Sequence, residues 1–263
     1  MTKTNQPGED YSSPFNRRKS IMKIYIDTIA DLKKYKDEIL KTSKPCTIFQ
    51  IGGFRPKKAI TQSYFGKVLV CKDGEDWPQS NGKPMIPLCQ LNLEDAPYIP
   101  QSIKHIAFIT IFIDDKDMPI GNLPNGDKWC LRAYEKNDKL IPIIQANYTS
   151  QIKPKALRPI PKVFQDFPPD PYSPLEIDYS IEHEYLDEYP NYEGIKLGGF
   201  PAAIQRSKIF MNSAETHHYS EFVLHIDTIE KANWMWGDLG VGYFGISKDQ
   251  NGNDIWSHKW ECY

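Results

Sequence analysis

The chain lacks any run of about 18 apolar residues and has no apolar leader core near its start, so neither a membrane-spanning helix nor secretion is expected. A formal net charge of −2 over 263 residues leaves no positive excess to neutralise phosphates, which argues against duplex nucleic acid as a partner. Cysteine is sparse: Cys46, Cys71, Cys89, Cys130 and Cys262 are widely spaced and include no C-x-x-C pair. That pattern fits reduced thiols in a cytoplasmic protein better than a disulfide framework or a structural zinc site. Catalytic signatures are missing too, with no Walker-type phosphate loop, G-x-S-x-G or H-E-x-x-H. No cofactor and no metal are expected.

What the sequence does hold is apolar content of 40%, charged content of 25%, 21 prolines and 15 tyrosines, the balance of a globular protein rich in turns and strands. An order of segments also recurs. Phe49-Gln50-Ile51-Gly52-Gly53-Phe54 is echoed by Ile195-Lys196-Leu197-Gly198-Gly199-Phe200. Each is followed by two apolar runs, Leu88–Leu93 and Ile106–Ile113 in one case, Phe222–Asp227 and Gly242–Ile246 in the other. A Gly-Gly turn, a polar-bearing strand and an aromatic strand met twice predict an α+β fold of two related halves. These would be mostly antiparallel sheets with a few helices and a pseudo-twofold internal duplication.

The expected organisation is a flexible tail over 1–22, a first half over 23–152, a Pro-rich acidic connection over 153–192 and a second half over 193–263. Thr28-Ile29-Ala30-Asp31 reads as a capping box opening a helix that should end before Lys44-Pro45. Strands are expected over Cys46–Ile51 and Ser63–Val70, and Asn81-Gly82, Asn125-Gly126 and Asn251-Gly252 mark hairpins. In the connection, eight prolines from Pro154 to Pro190 should exclude sheet pairing over most of the stretch. A crowd of acids runs from Asp166 to Glu188, and a short helix is expected within Pro174–Glu188.

Several blocks resemble a known family. Gly198-Gly199-Phe200-Pro201-Ala202-Ala203-Ile204-Gln205, Leu224-His225-Ile226-Asp227 and Trp236-Gly237-Asp238-Leu239-Gly240-Val241-Gly242-Tyr243-Phe244 look like signature blocks of the YwqG-like family, a bacterial domain of unknown function. Upstream, Ile51-Gly52-Gly53-Phe54, Trp77-Pro78, Gly82-Lys83-Pro84-Met85 and Cys89-Gln90-Leu91-Asn92 are similar to its N-terminal blocks. His225 stands where the family tends to carry glutamine. The resemblance implies a bacterial, intracellular α+β protein of two related halves, and brings no activity, cofactor or catalytic residue.

Candidate chemistry is thin. Gly240-Val241-Gly242-Tyr243-Phe244-Gly245 matches G-x-G-x-x-G, but Asn251-Gly252 interrupts where a helix is needed, so the glycines read as turn and close-packing positions. Glu215, His217 and His218 with His225 and Asp227 invite a metal reading, yet no ligand spacing supports it. Asp227 and Asp238 are the most suggestive acids: placed side by side they could act as acid and base. Alternatively Asp238 makes an Asx turn and Asp227 a cap. By position Gln90 and Asn92 are the counterparts of His225 and Asp227. A cleft between the halves, lined by Gln90, Asn92, His225 and Asp227, with Asp238 and with Trp236 as a wall, is the expected binding site.

Two functions are compatible with these residues. One is a non-enzymatic module that binds another protein, an immunity or antitoxin-like protein whose acidic connection occludes a bacterial toxin. The other is a small-molecule-binding protein or hydrolase using Asp227 and Asp238. Either a monomer or a homodimer is consistent with the sequence.

Overall fold

The computed structural model describes residues 32–52, 59–114, 116, 118–119, 123–148, 150, 152–169, 182–205 and 220–263. The expected tail, the capping box at Thr28–Asp31 and the Glu215, His217 and His218 group lie outside the described residues. Two compact units partition the chain, Met1–Ser43 with Asp170–Pro190, and Lys44–Pro169 with Asn191–Tyr263. In the first unit, one helix spans Lys36–Thr42 and another Glu182–Glu188, burying Ile39 and Tyr185 respectively. The first helix stops where expected: Ser43 turns to an extended ψ of 145° just ahead of Lys44-Pro45.

In the second unit every strand pairing among the described residues is antiparallel. The larger sheet has the order β10-β1-β11-β12-β13-β14, built from Pro159–Asp166, Lys44–Ile51, Ile195–Gly198, Glu221–Asp227, Val241–Lys248 and Asp254–Glu261. A four-stranded sheet follows the order β2-β6-β7-β8, from Tyr64–Phe65, Ile86–Asn92, Ile106–Ile113 and Trp129–Glu135. Two ribbons complete the unit, β3 (Val70–Lys72) with β9 (Leu140–Pro142) and β4 (Gln79–Ser80) with β5 (Lys83–Pro84).

The sheets share one apolar core. Cys89, Leu91, Ile109 and Leu131 of the smaller sheet join Phe49, Leu197, Leu224, Ile226 and Phe244 of the larger in a single buried cluster. Trp129 of β8 reaches across to Phe244 of β13 and His258 of β14, with ring centroids 6.1 and 5.4 Å away. Because side chains alternate along a strand, everything between those core positions points away from the shared interior.

Three expectations need correction. Among the described residues strand outweighs helix by 41% to 13%, which is closer to mainly-β than to α+β. Nor is a duplication shown, because the supposed copies are assembled differently. The strand leading into the first Gly-Gly, β1, belongs to the larger sheet while β6 and β7 form the smaller, whereas β11, β12 and β13 are neighbours in one sheet. The prolines of the connection also fail to prevent pairing: Pro159–Asp166 is an eight-residue strand matched to β1 along its whole length, from Lys44↔Asp166 to Ile51↔Pro159. Among the described residues β1 is its sole neighbour, and an edge strand tolerates proline because the missing N–H can face away from the ladder.

Turn chemistry was more legible. Asn81 and Gly82 take φ values of 50° and 72°, the double positive required by a tight two-residue hairpin, and join β4 to β5. Asn251-Gly252 lies between β13 and β14 as expected. Ser63–Val70 is not one strand but β2 and the start of β3, parted at Gly66, where a side chain would meet the Lys155 carbonyl. No helix among the described residues is long and apolar enough to cross a membrane.

Candidate functional site

On the outer face of the larger sheet, the register aligns Ile48, Lys196, His225 and Tyr243 on four successive strands. Asp227 lies two positions beyond His225 and so shares its face. Four polar residues are thereby concentrated on a surface whose reverse side is apolar core. Asp166, ending β10, completes the group.

Asp166 and Lys196 form an ion pair of 2.9 Å with neither side chain exposed (0% each). The second Asp166 oxygen and the first between them also accept from the backbone N–H of Tyr192 and Phe200, both at 2.7 Å, and from Asn191 Nδ2 at 3.3 Å. Gly199 is what allows the chain to wrap so closely. Its φ is +70°, and a Cβ there would collide with Asp166 Oδ2. Burial pushes the Asp166 carboxyl up and the Lys196 ammonium down, each offset in part by the attraction between them.

His225 lies next to Lys196 across the strands, wholly buried, with rings of Phe222 and Tyr243 at centroid distances of 6.2 and 6.1 Å. Neither ring nitrogen has a hydrogen-bond partner among the described residues. Burial first, then the Lys196 charge, holds its pKa well below the ordinary histidine value, so the ring is neutral. Its Nε2 is 3.6 Å from Asp227 Oδ1, too long for a hydrogen bond. The other Asp227 oxygen accepts from the Gly194 N–H. With a side chain 16% exposed, Asp227 is the member of the group open to solvent. Burial and the nearby Glu193 raise its carboxyl to about 7 against the pull of Gly194 and Lys196.

Beside this group, the Tyr243 hydroxyl lies 2.8 Å from Glu261 Oε1 and 2.9 Å from the Ala202 carbonyl, with its one proton to donate to either. The same Glu261 oxygen accepts from the Ile204 N–H at 2.5 Å. These bonds fasten the segment after Gly199 onto the sheet. Cys46, on β1, is sealed in: burial pushes its thiol up to about 12, which removes it as a nucleophile.

The residues expected to form one cleft are not brought together. Gln90 and Asn92 alternate with Cys89 and Leu91 and point outward from the smaller sheet, on the far side of the core from His225 and Asp227. Gln90 is consumed by the backbone, accepting from Leu69 N–H at 2.6 Å and donating to the Ile60 and Gln62 carbonyls. Asn92 caps a 3-10 turn by accepting from Glu94 N–H. Asp238 is exposed in the turn after Trp236, and no hydrogen bond or ion pair links it to Asp227 among the described residues. Trp236 is no pocket wall either, being fully buried against His258 and packed on Gly242, where a Cβ would strike its ring. Of the expected set, His225 stays beside Asp227 and Gln90 beside Asn92, but the two pairs belong to different sheets.

Asp166 and Lys196 escaped the sequence reading. One signal was available: Lys196 is the single charge in the run Ile195–Gly198, all of whose residues are buried, and lysine is buried almost only when paired. Its partner was hidden among the acids of the connection. The described residues contain no group of three or more His, Cys, Asp and Glu suited to a metal. Chemically, the site offers a carboxyl able to exchange a proton near neutrality, beside a neutral imidazole with one donor and one acceptor nitrogen.

A family model described as a domain of unknown function, DUF1963, matches residues 63–262. The chain belongs to that family. The DUF1963 match takes in Asp166, Lys196, His225 and Asp227, whereas β1 precedes it. Comparison with curated proteins found no match.

Proposed function

We propose that this DUF1963 protein binds a small polar molecule at the outer face of its larger sheet, with Asp227 as the proton-exchanging group and His225 as its neutral hydrogen-bonding neighbour. The observation that supports this most is the unfilled hydrogen-bonding capacity, among the described residues, of a wholly buried histidine next to a buried, unpaired carboxylate oxygen of the partly exposed Asp227. Buried polar atoms are ordinarily satisfied, and a ligand that supplies the missing partner is one explanation for an unsatisfied group beside a partly exposed carboxyl. Lys196 is held in place by Asp166 and sets the local potential. On this reading Asp238 and Trp236 take no part. The YwqG-like likeness and a bacterial origin belong to the same proposal and rest on the sequence blocks quoted above.

A thermal-shift screen over sugars, nucleotides, amino acids and metal ions tests it. A ligand that raises the melting temperature of the wild type but not of Asp227→Ala or His225→Phe supports the site. A hit unaffected by both substitutions, or no hit at all, counts against it.

A second reading is a surface for a basic protein partner such as a toxin. The helix Glu182–Glu188 supports it, with Glu182, Glu184, Asp187 and Glu188 in seven residues. Asp166 contributes nothing to such a surface, since its charge is buried and paired. Charge reversal at Glu182 and Asp187 that leaves partner capture unchanged would remove this reading.

A further inference from the structure

The β4–β5 hairpin borders a pocket of about 180 Å³ lined by Ser80, Asn81, Lys83, Met85, Asp114 and Lys116, among others. We propose that this pocket is a second binding site, for a small oxyanion such as the phosphate or carboxylate group of a ligand, with Ser80 Oγ, Lys83 and Lys116 as its donors.

Ser80 carries the argument. It is 5% exposed, it lines the pocket, and its hydroxyl has no hydrogen-bond partner among the described residues. A buried hydroxyl left in that condition calls for a partner that the chain itself does not provide. The surroundings say which kind. The charged residues that line the pocket are two lysines, Lys83 and Lys116, and one acid, Asp114, so positive charge prevails in its lining. Asp114 is already engaged, its Oδ1 accepting from the Lys116 N–H at 2.8 Å, and it is buried rather than presented to the opening. That bond turns the chain so that Lys116 borders the pocket.

The pocket is also preformed. Ser80 pairs with Lys83 across the tight turn at Asn81-Gly82. Behind the turn, Met85 N–H donates to the Pro78 carbonyl at 2.9 Å and Trp77 Nε1 to the Met85 carbonyl at 2.8 Å. Its volume suits a tetrahedral or planar oxyanion and falls below the roughly 300 Å³ at which sites for larger organic ligands begin.

Titration of the full chain with inorganic phosphate at constant ionic strength, followed by backbone amide NMR, tests the inference. Saturable shifts confined to the hairpin and to Asp114 and Lys116 are expected. Ser80→Ala and Lys83→Met should each weaken binding by about tenfold or more, the usual effect of deleting a donor to a charged group. Lys83 is exposed, so Lys83→Met keeps the fold and decides the matter if Ser80→Ala does not fold. Parallel titrations with glycerol phosphate and acetate identify the group: a preference for the phosphomonoester assigns a phosphate, a preference for acetate a carboxylate. Shifts that grow without saturating, or an affinity unchanged in a folded Lys83→Met, would overturn it. This test is independent of the Asp227 site.

Discussion

Lys196 and Asp166 meet at 2.9 Å with both side chains sealed from solvent, at the seam between a strand end and the Gly-Gly turn. Their chain positions are unrelated, yet β10, β1 and β11 lie side by side and bring them together. A buried pair of this kind need not add net stability over an apolar replacement, but breaking one half leaves a stranded charge.

Lys196→Met is therefore expected to cost about 3–5 kcal/mol in urea unfolding at neutral pH. Asp166→Ala should cost at least as much, because it also orphans the Tyr192 and Phe200 N–H groups. A loss below about 1 kcal/mol for both, the range of an exposed pair, would show that the two groups are solvated in solution.

This pair also marks what could be read from the chain and what could not. Local chemistry was legible: Asn81-Gly82 announces its turn, and Lys44-Pro45 ends its helix, because each depends on backbone preferences of adjacent residues. Sheet membership was not. Gln90 and His225 look alike as polar residues inside apolar strands. What separates them is which segment lies opposite, the Ile60–Leu69 segment that satisfies Gln90 or the ring neighbours that leave His225 without a partner among the described residues. Likewise Pro159 and Pro161 argue against a strand only where the strand has two neighbours. That number is a tertiary fact.

Asp227 gives a pH signature. Its folded carboxyl titrates near 7 against an ordinary value of 3.8, so between those values the folded chain holds a proton that the unfolded chain has released. Stability linked to this group is present at low pH and lost as pH rises towards and through 7. Asp227→Asn removes the dependence. Relative to the wild type, the variant should gain stability from pH 5 to pH 8.5, by up to ~3 kcal/mol. Melting curves across that range that run parallel would refute the raised carboxyl.

His258 should act in the opposite direction. Its ring is buried among Trp129, Trp236 and Phe244, with both nitrogens unpartnered among the described residues, and burial lowers its pKa from 6.5 to about 3. The unfolded chain takes up the proton first on acidification, so stability falls as pH drops from 6.5 towards 3. His258→Phe should be favoured over wild type by a further ~1.4 kcal/mol for each pH unit in that window. Acid unfolding midpoints that coincide for the two proteins would count against a neutral, buried ring.

Thiol reactivity gives a direct check on the packing. Cys46, Cys71, Cys89 and Cys130 are all buried, and burial raises each thiol, whereas Cys262 is partly exposed. A disulfide reagent added to the native protein should titrate one group quickly, and all five after denaturation. Rapid modification of Cys46 in the native state would mean that the sheet face carrying Lys196 is open.

Gly199 ties the sequence feature to the site. The second glycine of the pair occupies the left-handed region at φ +70°, and a methyl group there would press into the carboxylate of Asp166. Gly199→Ala thus combines a backbone cost of about 1 kcal/mol with displacement of a buried, charge-bearing side chain. Its total loss should exceed that of Gly252→Ala, another left-handed glycine, with φ +85° and open space around it. Comparison of the two variants by urea unfolding separates the terms, since the conformational cost is common to both. If Gly199→Ala were no more destabilising than Gly252→Ala, the close wrap around Asp166 would be wrong, and with it the reason this strand ends in two glycines.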